Sequence, residues 1–177
     1  MGFGSASIFT KIALLLAGLA LLFHLIGYSS NSWQKAESFG QTIAEEGLWK
    51  TCNYAFNQGC VDYDVVGTSK IADEMRTVRA FTTIALLLMI AVPVAIVLSM
   101  FISLFRSMIF VIAQMGAAIA AGVLIIIAVI IYGSDLIPSN TGVHASWSLA
   151  LSVVGAIFSI ATGGLLVLGA FRNKSSE

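Results

Sequence analysis

Residues 80–132 read AFTTIALLLMIAVPVAIVLSMFISLFRSMIFVIAQMGAAIAAGVLIIIAVIIY, and across the whole run the only charged side chain is Arg106. A bilayer takes about 20 apolar residues per helical crossing. A run of this length therefore holds two crossings, not one. The break falls at Leu104-Phe105-Arg106-Ser107. So short a link makes the spans 80–103 and 107–132 antiparallel neighbours, with Arg106 among the lipid headgroups.

Working outward, residues 8–28 carry only Lys11, and residues 145–171 carry no Asp, Glu, Lys or Arg. These add a first and a fourth span. With 58% hydrophobic and 10% charged residues, the chain departs far from soluble domains, where about 45–50% and about 25% are usual. Residues 1–177 form one domain, because the spans leave too little outside the membrane for a second. The expected fold is mainly α, a left-handed four-helix transmembrane bundle. Residues 1–28 lack a basic region ahead of the apolar run and read as a retained span, not a cleaved leader. Net charge is zero and the nine basic residues form no cluster, so nucleic acid is excluded as a partner.

Within the spans, Gly116, Ala117, Ala118, Ala120, Ala121 and Gly122 give repeated small-xxx-small spacings suited to close packing inside the bundle. Pro93 is expected to kink the second helix. His24 and Gln114 are intramembrane polar residues with no ionisable partner at similar depth, and each reads as one hydrogen bond between helices. Lys11 is expected to snorkel.

Four spans put both termini on one side and the loops 29–79 and 133–144 on the other. Basic residues decide the orientation poorly, since the long loop itself carries five. The two cysteines, Cys52 and Cys60, both fall in that loop at a spacing that a β-hairpin bridges. Disulfides persist in oxidising compartments, so the loop is expected outside, with the termini, the link 104–106 and the tail 172–177 in the cytoplasm.

A loop of 51 residues is too long to be a bare connection. Segments 32–38, 41–44, 48–55 and 61–66 read as strands punctuated by Gly40, Gly47, Asn57-Gln58-Gly59 and Gly67. They predict a small antiparallel sheet with Cys52–Cys60 stapling a hairpin. Beyond Gly67, Ile71, Met75 and Val78 mark the apolar stripe of a short external helix, capped by Thr68 or Ser69. Lys70 with Glu74 and Asp73 with Arg76 are its exposed pairs.

One set of residues goes further. Trp33, Gly47-Leu48-Trp49, Cys52, Cys60, and Arg79 just before the second span resemble the first-loop pattern of the claudin family. Its relatives include peripheral myelin protein, the epithelial membrane proteins and calcium-channel gamma subunits. Arg79-Ala80-Phe81, the small-residue third span and Ser146-Trp147-Ser148 at the head of the fourth are similar too. Trp33 and Trp49 read as anchors of the sheet at the membrane interface, and the cysteines as structural staples, not redox groups.

The resemblance implies a claudin-like protein of the plasma membrane and of cell junctions. It would mediate cell–cell contact, junction strands, or a paracellular barrier or channel, associating with copies of itself in cis and in trans. The alternative is an auxiliary or membrane-organising subunit acting on a partner membrane protein or on membrane shape. Asp62 and Asp64, just after Cys60, would bias an ion path toward cations, or else lie on a solvated strand face. The tail Arg172-Asn173-Lys174-Ser175-Ser176-Glu177 lacks the apolar terminus by which claudins dock PDZ scaffolds, so scaffold binding is not expected. Nor is an enzyme: His24 and His144 are far apart, the spans hold no clustered carboxylates, and no metal-ligand spacing occurs. The expected catalytic residues, metal and cofactors are none, and the surrounding partner is membrane lipid.

Overall fold

The computed structural model describes residues 7–55, 59–62, 69–102, 107–137 and 142–174. Four long helices run through it: α1 (Ile8–Ser29), α2 (Lys70–Phe101), α3 (Met108–Ile131) and α4 (Trp147–Lys174). All four are long and apolar enough to cross a membrane. Between α1 and α2 come the strands β1 (Gln34–Ser38), β2 (Gln41–Glu46), β3 (Lys50–Asn53) and β4 (Gly59–Asp62), and β5 (Val143–Ala145) lies between α3 and α4.

Burial along each helix explains why they pack as they do. On α1 the buried residues are Ala13, Ala17, Ala20, His24 and Gly27, and on α3 they include Gln114, Ala118, Ala121, Ile125 and Ala128. On α2 they run from Ala72, Met75, Val78, Thr82 and Ala85 to Met89, Val92, Ile96 and Met100. Steps of three and four alternate along α1, α3 and the middle of α2, so those stripes recur about every seven residues, the repeat of left-handed helix packing. Helix α4 carries two such stripes side by side, Ser148-Ser152-Gly155-Ser159-Thr162-Leu166 and Leu149-Ala156-Gly163, because it packs against both α1 and α3. Small residues let it do so: a Cβ on Gly27 would fall 2.7 Å from the Ser148 carbonyl oxygen, and one on Gly155 would fall 3.0 Å from that of Ala20.

The second span extends the predicted external helix without a break. Thirty-two residues long, α2 measures about 48 Å at 1.5 Å per residue, against about 30 Å of hydrocarbon. It is thus longer than one crossing requires. The Ser69 hydroxyl accepts from the Ala72 N–H at 3.3 Å and caps it, while Thr68 lies outside the described residues. Ile71 departs from expectation. It is exposed, and Ala72 takes its place in the buried stripe with Met75 and Val78.

The five strands form one antiparallel sheet in the order β4-β3-β2-β1-β5. The segments 32–38, 41–44 and 48–55 are present at slightly different bounds as β1, β2 and β3; of 61–66, residues 61 and 62 belong to β4 and the remainder lies outside the described residues. The β1–β2 turn is made by Phe39 (φ 52°) and Gly40 (φ 78°), both in the left-handed region. That matches the twist of a tight hairpin, yet is uncommon for a bulky side chain, and Phe39 is entirely exposed. The loop read as 133–144 is less a loop than expected: Tyr132–Leu136 continues α3 as a π-helical turn, and Val143–Ala145 pairs with Gln34–Ala36. Helix α4 accordingly begins at Trp147, not at Ala145.

Candidate functional site

The sheet stands on the mouth of the bundle, and Trp33 is the plug between them. Its side chain is fully buried among Leu48, Met75, Val78, Ala128, Tyr132 and Leu149. The indole Nε1–H donates to the Gly27 carbonyl at 2.7 Å, and the ring meets Tyr132 edge-on with centroids 5.0 Å apart. Placed this way, Trp33 is a core residue of the joint, not a ring lying at the lipid interface. Its backbone is pinned as well: Trp33 N–H donates to Glu46 O at 2.8 Å, and Ser146 N–H donates to Trp33 O at 2.9 Å.

Gly47-Leu48-Trp49 closes the joint from the other side. A Cβ on Gly47 would lie 2.4 Å from the Ser30 carbonyl oxygen and 2.7 Å from the Asn31 Cα. Two backbones thus cross where only glycine fits. Leu48 is fully buried beneath the sheet, whereas Trp49 is partly exposed. The Arg79 Nε–H donates to the Leu48 carbonyl at 2.7 Å, and its guanidinium lies 5.0 Å from the Trp49 ring centroid. Tyr28 meets the same ring edge-on at 5.4 Å. The Tyr28 hydroxyl is 3.0 Å from the Thr83 hydroxyl. Arg79 therefore clamps the turn after β2 onto α2 by a charge-assisted hydrogen bond and a cation–π contact.

At the head of α4 the neighbours of Trp147 do the holding. Trp147 itself points outward, 55% exposed. The Ser148 hydroxyl donates to the Ser32 carbonyl, and the Ser146 and Ser32 hydroxyls are 2.9 Å apart. Sequence reading singled out the tryptophan of Ser146-Trp147-Ser148 and passed over the serines. A cue was present in their burial-sized hydroxyls at a helix start, where they satisfy backbone groups.

Cys52 and Cys60 are direct cross-strand partners on β3 and β4 and are joined as a disulfide, with Cys52 buried against the sheet. Asp62, on the exposed strand β4, lies opposite Lys50. The two charges are thus neighbours across the ladder. Asp64 lies outside the described residues. The predicted pairs on α2 both form: Lys70 Nζ is 3.1 Å from Glu74 Oε1, and Arg76 Nη1 is 2.9 Å from Asp73 Oδ1. Lys70 also reaches Asp135 at 3.1 Å, tying α2 to the π-helical turn. The Ser134 hydroxyl also donates to Asp135 Oδ2 at 2.7 Å.

Inside the bundle, His24 Nε2 lies 3.2 Å from the Thr82 carbonyl, and Gln114 Nε2 donates to the Ala95 carbonyl at 3.3 Å. Each polar residue thus links its helix to α2 by one bond, as its lack of a charged partner suggested. Of the small residues on α3, Ala118, Ala121 and Gly122 face inward while Gly116 and Ala120 face out. Among the described residues, no group of three His, Cys, Asp or Glu is placed to hold a metal ion.

What these parts make is a four-span membrane protein whose two loops on one side fold into a single disulfide-closed sheet, plugged into the bundle by one tryptophan. The sequence pattern of the PMP-22/EMP/MP20/Claudin family matches residues 5–166. The chain belongs to that family, whose members are structural membrane proteins and not enzymes. Among curated proteins, none matches the chain.

Proposed function

We propose that this chain works by contact, in the manner of a claudin: its sheet faces outward from the plasma membrane, with both termini in the cytoplasm. There it meets other copies, in cis and in trans, to build junction strands and a paracellular barrier or channel. The observation that carries this reading is the fusion of both loops into one sheet. It is fixed to the bundle at Trp33, Gly47 and Arg79. A rigid platform of this kind presents a surface with little ordering cost on binding. At its far end Phe39 is entirely exposed and Tyr54 half-exposed, and aromatic groups are favoured anchors of protein contacts.

The test is expression in cells that make no related protein. Enrichment at cell–cell borders and strands in freeze-fracture replicas are expected; a diffuse signal over the whole membrane would overturn the proposal. A second reading is favoured by α3, where Gly116 has open space around it and Ala120 faces out one turn along. Small residues there let a foreign helix approach closely, as in an auxiliary subunit on a partner membrane protein. Copurification of one partner in fixed ratio would select that reading.

A further inference from the structure

The large apolar side chains exposed on the helices stop at matching heights. On α1 they run from Ile8 to Ile26, on α3 from Met108 to Ile130, and on α2, leaving aside the isolated Ile71, from Ile84 to Phe101. At 1.5 Å per residue these stretches are about 27, 33 and 26 Å long, and a hydrocarbon core is about 30 Å thick. Toward the sheet, polar groups then begin: Ser29 on α1, Thr83 on α2 and Ser134 past the end of α3.

Helix α4 supplies a second measure. Its exposed face holds Leu168, Ile157 and Trp147. Counted from Leu168 toward the sheet, one hydrocarbon thickness is roughly 20 residues, which ends beside Trp147. The Trp147 ring points out because its neighbours point in: the Ser148 hydroxyl donates to the Ser32 carbonyl, and the Ser146 hydroxyl meets that of Ser32. Trp49, also partly exposed, stands at the corresponding level over the seam between α1 and α2. It packs against Tyr28, just past Ile26, and against the Arg79 guanidinium, a little before Ile84.

A tryptophan suits that height. Its ring gains by leaving water, yet its N–H needs a partner, and only the headgroup zone serves both. The two rings occupy different sides of the bundle, since Trp147 lies on the face of α4 turned away from the α1 and α3 contacts.

We propose that Trp49 and Trp147 seat in the lipid headgroups of the leaflet on the sheet side, and that together they fix how far the sheet stands out of the bilayer. The hydrocarbon then ends at Tyr28, Thr83, Ile130 and Trp147. Residues 70–78 of α2, about 13 Å of helix, lie beyond it with the sheet, while the joint shields Trp33 from lipid. The partner is lipid and not protein, because the rings continue the exposed apolar stretches of the spans. This placement depends neither on which side of the cell the sheet occupies nor on what it meets there.

The test uses the purified full chain in vesicles of phosphatidylcholine brominated either near the headgroup end of an acyl chain or near its methyl end. The chain has three tryptophans, and Trp33 is fully buried. The shallow bromine is expected to quench the wild type more strongly than the deep one. Trp49→Phe and Trp147→Phe should each lose part of that quenching, and the double variant, which keeps Trp33 alone, nearly all of it. Circular dichroism checks that these variants fold, and the wild-type comparison needs no substitution. Quenching by the deep bromine that equals or exceeds the shallow overturns the proposal. So does a Trp49 or Trp147 emission that aqueous iodide quenches and bromine does not, which places the ring in water. An emission that neither reaches places the ring against a second copy or another protein, and overturns it too.

Discussion

Gly47 carries a constraint out of proportion to its size. The Cβ of an alanine there would meet the Ser30 carbonyl and the Asn31 Cα, both backbone atoms and neither able to swing aside. Gly47→Ala is therefore expected to cost about 1–3 kcal/mol, the range for overpacking a tight site. Thermal unfolding followed by tryptophan fluorescence checks this, since Trp33 and Trp49 flank the crossing. Gly116, with no atom near its missing Cβ, serves as the control: Gly116→Ala should leave Tm within a degree or so or raise it, by helix propensity alone. At this scale the sequence revealed identities better than roles. Trp33, Leu48 and Arg79 stood out by residue type, but their geometry depends on the carbonyls of Gly27 and Leu48, and no side-chain pattern encodes a carbonyl.

At the scale of elements, β4 is the least anchored strand. It is four residues long, exposed throughout, and it sits at one edge of the sheet beside β3 alone. Its disulfide closes a separation of eight residues, and loop-closure entropy assigns such a link about 2–3 kcal/mol. Replacing both cysteines by serine is expected to leave helix content unchanged by circular dichroism while the segment 54–62 becomes open to protease. Cleavage as slow as in the oxidised wild type would contradict this. The helices were legible because each one announces itself by a long uncharged run. The strand β5 was not, because three residues, Val143-His144-Ala145, carry no period, and their partner β1 is remote in sequence. Ile71 misled for a related reason: at a helix start the buried stripe is set by what stands opposite, and here it takes in Ala72, leaving Ile71 exposed.

For the whole molecule, the distribution of charge bears on what passes along its outer surface. Asp62 faces Lys50 across the ladder, which offsets its field, while Asp64 has no such placement described. Neutralising both as Asp62→Asn and Asp64→Asn is expected to lower the cation-over-anion permeability ratio of an epithelial layer expressing the protein. An unchanged ratio would return both residues to the role of a solvated strand. The family pattern spanning residues 5–166 agrees with the physical reading of the bundle, since the seven-residue stripes on α1, α2 and α3 require each helix to find the others in one register.

The pairing of β1 with β5 also sets an order of assembly. As the chain emerges from the ribosome, the first four strands are available as soon as the long loop is made, but β1 keeps an open edge until Val143–Ala145 arrives. Trp33 meanwhile lacks Tyr132 and Leu149 as walls of its pocket. The sheet must therefore wait, half-closed, for the last membrane segment to be inserted. An unpaired edge and an uncovered tryptophan are features that quality-control chaperones recognise. Arrival of β5 closes the edge, and arrival of the fourth helix with Leu149 then completes the cover over the tryptophan.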